Sequence, residues 1–169
     1  MGRMTSDARA GPIVRVGVVS DTHGLLRPEV LLTLGPCDLI LHAGDVGSAD
    51  VLAGLRSSGA AVAAVRGNVD RDAHLATLPQ TLAGAIEGLR YRVVHRREDV
   101  ESAWPREHDL VVFGHSHRPE LEWRSGCLLL NPGACGGRRF KLPLTVARIT
   151  ISRGRWTPEI LAVAEGAGC

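Results

Sequence analysis

Acidic, imidazole and amide side chains recur at the ends of apolar runs. Residues 14–20 lead into Ser20-Asp21-Thr22-His23-Gly24, residues 39–42 into His42-Ala43-Gly44-Asp45, and residues 61–65 into Arg66-Gly67-Asn68-Val69-Asp70. Residues 90–94 lead into His95, and residues 110–113 into Gly114-His115-Ser116-His117. Carboxylate, imidazole and amide together suit first-row divalent ions such as manganese, iron, nickel or zinc. Residues two apart on an extended chain point to the same side. Asp21 with His23, and His115 with His117, are therefore each expected to aim both side chains into one site. Asp21, His23, Asp45, Asn68, His95, His115 and His117 are too many ligands for one such ion. Two ions sharing a bridging carboxylate use them all.

Such a centre needs strands whose C-terminal ends meet, which is where open α/β sheets bind ligands. The first half of the chain has that rhythm. A valine-rich strand over 14–20 is followed by a helix through residue 34, begun near Pro28, where the missing N–H costs nothing. Strands over 39–42 and 61–65 enclose a helix over 51–57 that Ser48 or Asp50 can cap. This alternation predicts a mainly parallel sheet. In the second half, Glu87-Gly88, Ser125-Gly126 and Arg153-Gly154 each separate two short apolar runs, a hairpin signal. Pro158 points to an edge strand. Asp99 is expected to cap a short helix ending before Pro105. One sheet can hardly hold so many strands in so short a chain. The expected fold is α/β: a four-layer α-β-β-α sandwich of two packed mixed β-sheets flanked by helices. Glycines at 24, 44, 67 and 114 allow tight turns and close backbone approach beside the polar clusters.

Composition narrows the function. The 169 residues are 44% hydrophobic with a formal net charge of +2, which fits one globular domain and offers no dominant basic field for nucleic acid. Residues 1–12 are expected to be a flexible leader and 13–165 a single domain. No apolar run reaches the length of a membrane span, and the opening residues lack the apolar core of a secretory signal. Cys37, Cys127, Cys135 and Cys169 form neither a C-x-x-C pair nor a regular framework, so a reducing cytoplasm is the expected setting. Cys37 and Cys127 are read as half-buried.

D-x-H, G-D, G-N-x-D, a lone His at a strand end and G-H-x-H, in that order, resemble the motif set of the calcineurin-like metallophosphoesterases. Asn131-Pro132-Gly133-Ala134 resembles the N-P-G-S segment of the family's small bacterial and archaeal phosphodiesterase branch. The resemblance implies that Asp21, His23 and His117 hold one metal, that Asn68, His95 and His115 hold a second, and that Asp45 bridges both. It implies a hydroxide between the ions attacking a small phosphoester, with Asp45, Asn68, Asp70 and His115 as catalytic groups. Asp70 is expected to orient a histidine or the water. The implied cofactor is two divalent ions, manganese first, with nickel, iron, zinc or magnesium as alternatives. Val69 stands where larger family members carry a histidine that assists the leaving group, which favours diesters and activated esters.

Other readings compete. A phosphomonoesterase is the nearest variant. A non-catalytic protein-binding scaffold like a retromer coat subunit shares the implied fold, but the complete ligand set here argues for an enzyme. A homodimer is compatible with the sequence and not demanded by it. His42 is read as a supporting residue, and His74 and His108 as surface residues. Arg96, Arg97, Arg138 and Arg139 are read either as solvated cations or as electrostatic help for an anionic substrate. Trp104, Trp123 and Trp156 are read as packing residues.

Overall fold

A computed structural model of the chain describes residues 11–138 and 141–164. Arg139, Cys169, residue 165 and most of the expected leader lie outside the described residues. The strands are β1 (Val14–Val19), β2 (Leu39–His42), β3 (Ala61–Ala64), β4 (Thr81–Ile86), β5 (Leu89–Val94), β6 (Leu110–Val112), β7 (Glu120–Arg124), β8 (Cys127–Asn131), β9 (Thr145–Ser152) and β10 (Arg155–Ala162). The helices are α1 (Pro28–Leu34), α2 (Ala49–Arg56) and the short α3 (Trp104–Glu107).

Two five-stranded mixed sheets result, in the orders β10-β9-β1-β2-β3 and β4-β5-β6-β8-β7. In the first, β1, β2 and β3 run parallel, and β9 and β10 are added antiparallel. In the second, β5, β6 and β8 run parallel, with β4 and β7 antiparallel at the edges. Pro158 lies on β10, an edge strand where its missing N–H breaks no ladder. All three hairpins turn on two residues that both have positive φ: Glu87-Gly88, Ser125-Gly126 and Arg153-Gly154. That is the mirror-image turn whose twist matches the flanking strands.

Period-2 alternation explains the layers. Val16, Val18, Leu39 and Leu41 of one sheet meet Tyr91, Val93, Val112, Leu128 and Leu130 of the other in the central core. Val19 and Ile40 point outward and are covered by Val30 and Leu34 of α1 and Val51, Leu52 and Leu55 of α2. Val111, Phe113 and Leu129 leave the second sheet's outer face to be covered by Trp104. The fourth layer is thus only one turn of helix. Buried aliphatic side chains of this size, at about 1.5–3 kcal/mol each, account for most of the drive to fold.

Two local expectations are corrected. Pro105 opens helix α3 instead of ending a helix, because proline is tolerated in the first turn, where the N–H has no partner anyway. Asp99 sits inside a 3-10 turn, Arg97–Asp99, and caps nothing. Ser48, not Asp50, caps α2: its hydroxyl accepts from the Asp50 N–H at 3.2 Å. Cys127 is fully buried, and burial pushes its thiol up to about 11. Trp104 is buried under the Arg92 guanidinium, 4.5 Å from the ring centroid, and Trp123 packs on Trp156 across the sheet edges with ring centroids 5.4 Å apart. Among the described residues, no helix is long and apolar enough to cross a membrane.

Candidate metal centre

The parallel strands of both sheets end at a common rim, and the polar clusters meet there in two groups. Asp21 and His23, after β1, join His117, after β6; Asp45, after β2, joins His95, after β5, and His115, after β6. Within each group the ligating atoms all lie within 4.8 Å of one another.

In the first group, the Nε2 atoms of His23 and His117 are 3.3 Å apart, and Asp21 Oδ1 lies 3.9 Å and 3.3 Å from them. Asp21 Oδ1 and His117 Nδ1 are buried without a hydrogen-bond partner among the described residues. The other Asp21 oxygen accepts from the Ser20 hydroxyl at 2.6 Å and the His115 N–H at 3.1 Å. Burial works to raise the Asp21 carboxyl, but His117 and the Ser20 hydroxyl outweigh it and the group is held below its ordinary value.

The second group carries its own tautomer argument. His95 Nδ1 is 2.7 Å from the Ala43 carbonyl, which can only accept, so Nδ1 carries the proton. In the neutral ring, Nε2 is then a lone pair, and it faces two oxygens: Asn68 Oδ1 at 3.0 Å and Asp45 Oδ1 at 3.4 Å. Acceptors converging in this way call for a cation between them. A proton answers part of that demand: burial opposes an imidazolium, yet Asp45 and the Ala43 carbonyl raise His95. Burial likewise opposes the Asp45 carboxylate, but His95, the Val69 N–H and His23 hold it at about 2. A divalent ion suits the same donors better, so the residues present fit the metals that the sequence implies. The ring of His115 stands edge-on to His95, with centroids 5.1 Å apart, and is exposed.

Asp45 joins the groups. Its Oδ1 is 3.4 Å from His95 Nε2 and its Oδ2 is 3.8 Å from His23 Nε2.

The backbone that aims these side chains is left-handed and not extended, yet Asp21 and His23 meet in one group as expected. Asp21, His23, Asp45, His115 and His117 all have positive φ, between 47° and 69°. Each such residue costs about 1–2 kcal/mol, and non-glycine examples gather at functional sites. The turn splits the H-x-H pair, sending His117 to the first group and His115 to the second. Close approach of the loops explains two glycines. A Cβ on Gly67 would lie 2.0 Å from the Asp45 nitrogen, and one on Gly114 would lie 1.9 Å from Ser20 Oγ.

Among the described residues, no hydrogen bond joins Asp70 to a histidine. Its carboxylate accepts the N–H groups of Val46 (3.1 Å), Gly47 (2.8 Å) and Gly67 (2.8 Å), tying the β2 and β3 loops together. Two supports, Thr22 and Asn131, went unassigned from sequence. Thr22 and His42 form a chain: the Gly44 N–H donates to His42 Nδ1, His42 Nε2–H donates to Thr22 Oγ1, and Thr22 donates to the Val46 carbonyl. Asn131 Nδ2 donates to the Gly114 carbonyl and Ser116 Oγ, fixing the H-x-H loop. A polar residue closing an otherwise buried apolar strand was the available signal for Asn131.

His42 makes stability depend on pH. Full burial pushes it down to about 4 from an ordinary 6.5, so the folded chain resists a proton that the unfolded chain accepts. Stability is therefore full above the unfolded value and lost as pH falls towards the folded one. Between about pH 7.5 and about pH 5, metal-stripped wild type is expected to lose about 2 kcal/mol more than His42→Gln, measured by urea unfolding. Equal losses in the two proteins would remove His42 as the cause.

The arginines separate. Arg97 pairs with Glu120 and Glu122, and its guanidinium lies 5.3 Å from the Phe113 ring centroid, so it is committed to structure. Arg96 is exposed and lines a cavity of about 540 Å³ that also touches Asn68 and His95. Arg138 is exposed in the loop between β8 and β9. His74 is exposed and His108 half-buried, its Nδ1 3.3 Å from the Trp104 carbonyl; neither joins the centre.

Two mixed sheets, helices outside and a paired cluster of metal-ligand side chains at one rim define a metallophosphoesterase-type α/β protein. The chain belongs to the calcineurin-like phosphoesterase superfamily, whose domain matches residues 14–154. It is 34% identical over 132 residues to the protein named "Probable metallophosphoesterase" of Methanothermobacter thermautotrophicus, covering 70% of this chain and 76% of that one. In fold it is similar to an archaeal phosphodiesterase, with a TM-score of 0.73, 21% identity, and coverage of 88% of this chain and 100% of the other. It is also similar in fold to Vacuolar Protein Sorting 29 of Cryptosporidium parvum, with a TM-score of 0.70, 19% identity, and coverage of 88% and 96%. The family is metal-dependent, and hydrolysis of phosphoesters is the activity that membership carries.

Proposed function

We propose that this protein is a phosphodiesterase that holds two divalent ions, manganese foremost, and hydrolyses small phosphodiesters without a covalent enzyme intermediate. The observation that carries the reading is the Asp45 carboxylate, with one oxygen facing each histidine group. Asp21, His23 and His117 would hold one ion, Asn68, His95 and His115 the other, and Asp45 both. Such a pair of ions supplies a water of lowered pKa and neutralises charge on the phosphoryl oxygens.

The chain's own groups do the rest. The Ala43 carbonyl fixes the His95 tautomer, so its lone pair faces the centre. Asn68 and His115 are exposed at the mouth, where they are placed to orient a phosphoryl group. Val69 presents an exposed aliphatic side chain, 41% accessible, that cannot give a proton to a departing alcohol. Diesters and activated esters, whose leaving groups need less help, are therefore the favoured class over ordinary monoesters.

The test is chelator-stripped protein resupplied with manganese, nickel, zinc or magnesium and assayed on bis(p-nitrophenyl) phosphate and p-nitrophenyl phosphate. The diester rate should rise at least about a hundredfold on adding the right metal. Faster cleavage of the monoester would transfer the reading to a phosphomonoesterase, and no rate with any metal would end the enzyme reading.

A further inference from the structure

The cavity of about 540 Å³ beside Asn68 and His95 falls within the range, about 300–1,000 Å³, that takes drug- or nucleotide-sized molecules. Two of its wall residues are also candidate metal ligands, so it opens directly onto the second histidine group. Its cations sit next to those ligands in the chain: Arg66 lies two residues before Asn68, and Arg96 directly follows His95. Arg66 is anchored, its guanidinium donating to the Ala76 carbonyl at 3.1 Å and its N–H to the Pro79 carbonyl at 2.8 Å. Arg96 has no ion pair or side-chain hydrogen bond among the described residues, while its neighbour Arg97 is tied to two glutamates.

The remaining walls are mostly polar. Gln80, Thr81, Asp99 and Glu101 offer an amide, a hydroxyl and two carboxylates. Thr81 Oγ1 already accepts from Arg92 Nε at 3.0 Å, which leaves its proton to donate. Trp104 is buried and has Arg92 on its face, so the cavity has no open aromatic platform for an aryl group. Carboxylates and an amide accept from hydroxyl and amine donors, which an acyl or unsubstituted aryl group lacks.

We infer that this cavity binds the organic half of the ester, that the half is a hydroxylated group of nucleoside size, and that Arg96 contacts the phosphate joined to it. This rests on the phosphodiester reading above and names its substrate class. Arg96 is then the substrate-binding arginine of the Arg96-Arg97 pair, and Arg97 a structural one.

The experiment has two arms. In the first, thymidine 5′-(p-nitrophenyl phosphate) and bis(p-nitrophenyl) phosphate, which share a leaving group, are compared on metal-loaded protein. The nucleoside ester should show a KM lower by about tenfold, and Arg96→Gln should raise KM on both esters by about tenfold, because both carry the phosphate, while a surface control, Arg56→Gln, changes neither. Equal KM values for the two esters in wild type, or KM values that Arg96→Gln leaves unchanged, would overturn the inference. In the second arm, thymidine 5′-phosphate is titrated calorimetrically into chelator-treated protein. Wild type should bind it about tenfold more tightly than Arg96→Gln, and no binding, or binding indifferent to the substitution, would overturn the inference. If neither ester is cleaved, the phosphodiesterase reading has failed, and the binding arm still decides the cavity.

Discussion

The Asp45→Ala variant is expected to bind one divalent ion where wild type binds two, and to lose kcat/KM on a diester by about a thousandfold or more. The expectation follows from position. Asp45 places an oxygen within 4 Å of a histidine in each group, 3.4 Å from His95 and 3.8 Å from His23. Removing it leaves Asp21, His23 and His117 as three donors with no link to Asn68, His95 and His115. The fold should tolerate the change, because the carboxylate's other contact is a single hydrogen bond from the Val69 N–H at 3.0 Å. Metal analysis and circular dichroism on the same sample separate loss of an ion from loss of structure. A variant that still binds two ions and turns over within about tenfold of wild type would show that Asp45 bridges nothing.

The largest effect on stability is expected at Asp70. Its carboxylate, 2% exposed, accepts from Val46, Gly47 and Gly67. Hydrogen bonds to a charged acceptor contribute about 1.5–3 kcal/mol each, and donors left unpaired on burial cost a similar amount. Water reaches part of the site, so Asp70→Ala should lose about 3–5 kcal/mol in all, a fall in Tm of about 10 °C for a chain of this length. Asp70→Asn keeps one carbonyl oxygen and should lose about half as much. Because the tied loops carry Asp45 and Asn68, metal affinity should fall with stability in both variants. A Tm within about 2 °C of wild type in Asp70→Ala would mean that the loops hold without it.

Much of the fold could be read directly. Glu87-Gly88, Ser125-Gly126 and Arg153-Gly154 mark hairpins because few residue pairs accept two positive φ angles in succession, and the structure has all three. The strand-end position of Asp21, Asp45, Asn68, His95 and His115 was legible because apolar runs and polar stops are local features. What escaped was decided by contacts between distant segments. Spacing placed His115 and His117 in one site and the family resemblance divided them between its two ions, but only the left-handed turn at both residues shows how the chain divides them. Asp70 resembled a catalytic acid in the string of letters, and only the packing of the β2 loop against the β3 loop reveals three N–H groups waiting for it. Arg96 and Arg97 are equivalent in sequence, and Glu120 and Glu122 on β7, more than 20 residues away, distinguish them. Pro105 illustrates the ambiguity of proline, which ends a helix or begins one according to what precedes it.

Anomalous diffraction from crystals soaked in manganese tests directly whether two cations sit at this rim with Asp45 between them. Two peaks are predicted, one against Asp21, His23 and His117, the other against Asn68, His95 and His115, with an Asp45 oxygen reaching each. A single peak, or peaks away from these side chains, would contradict the account.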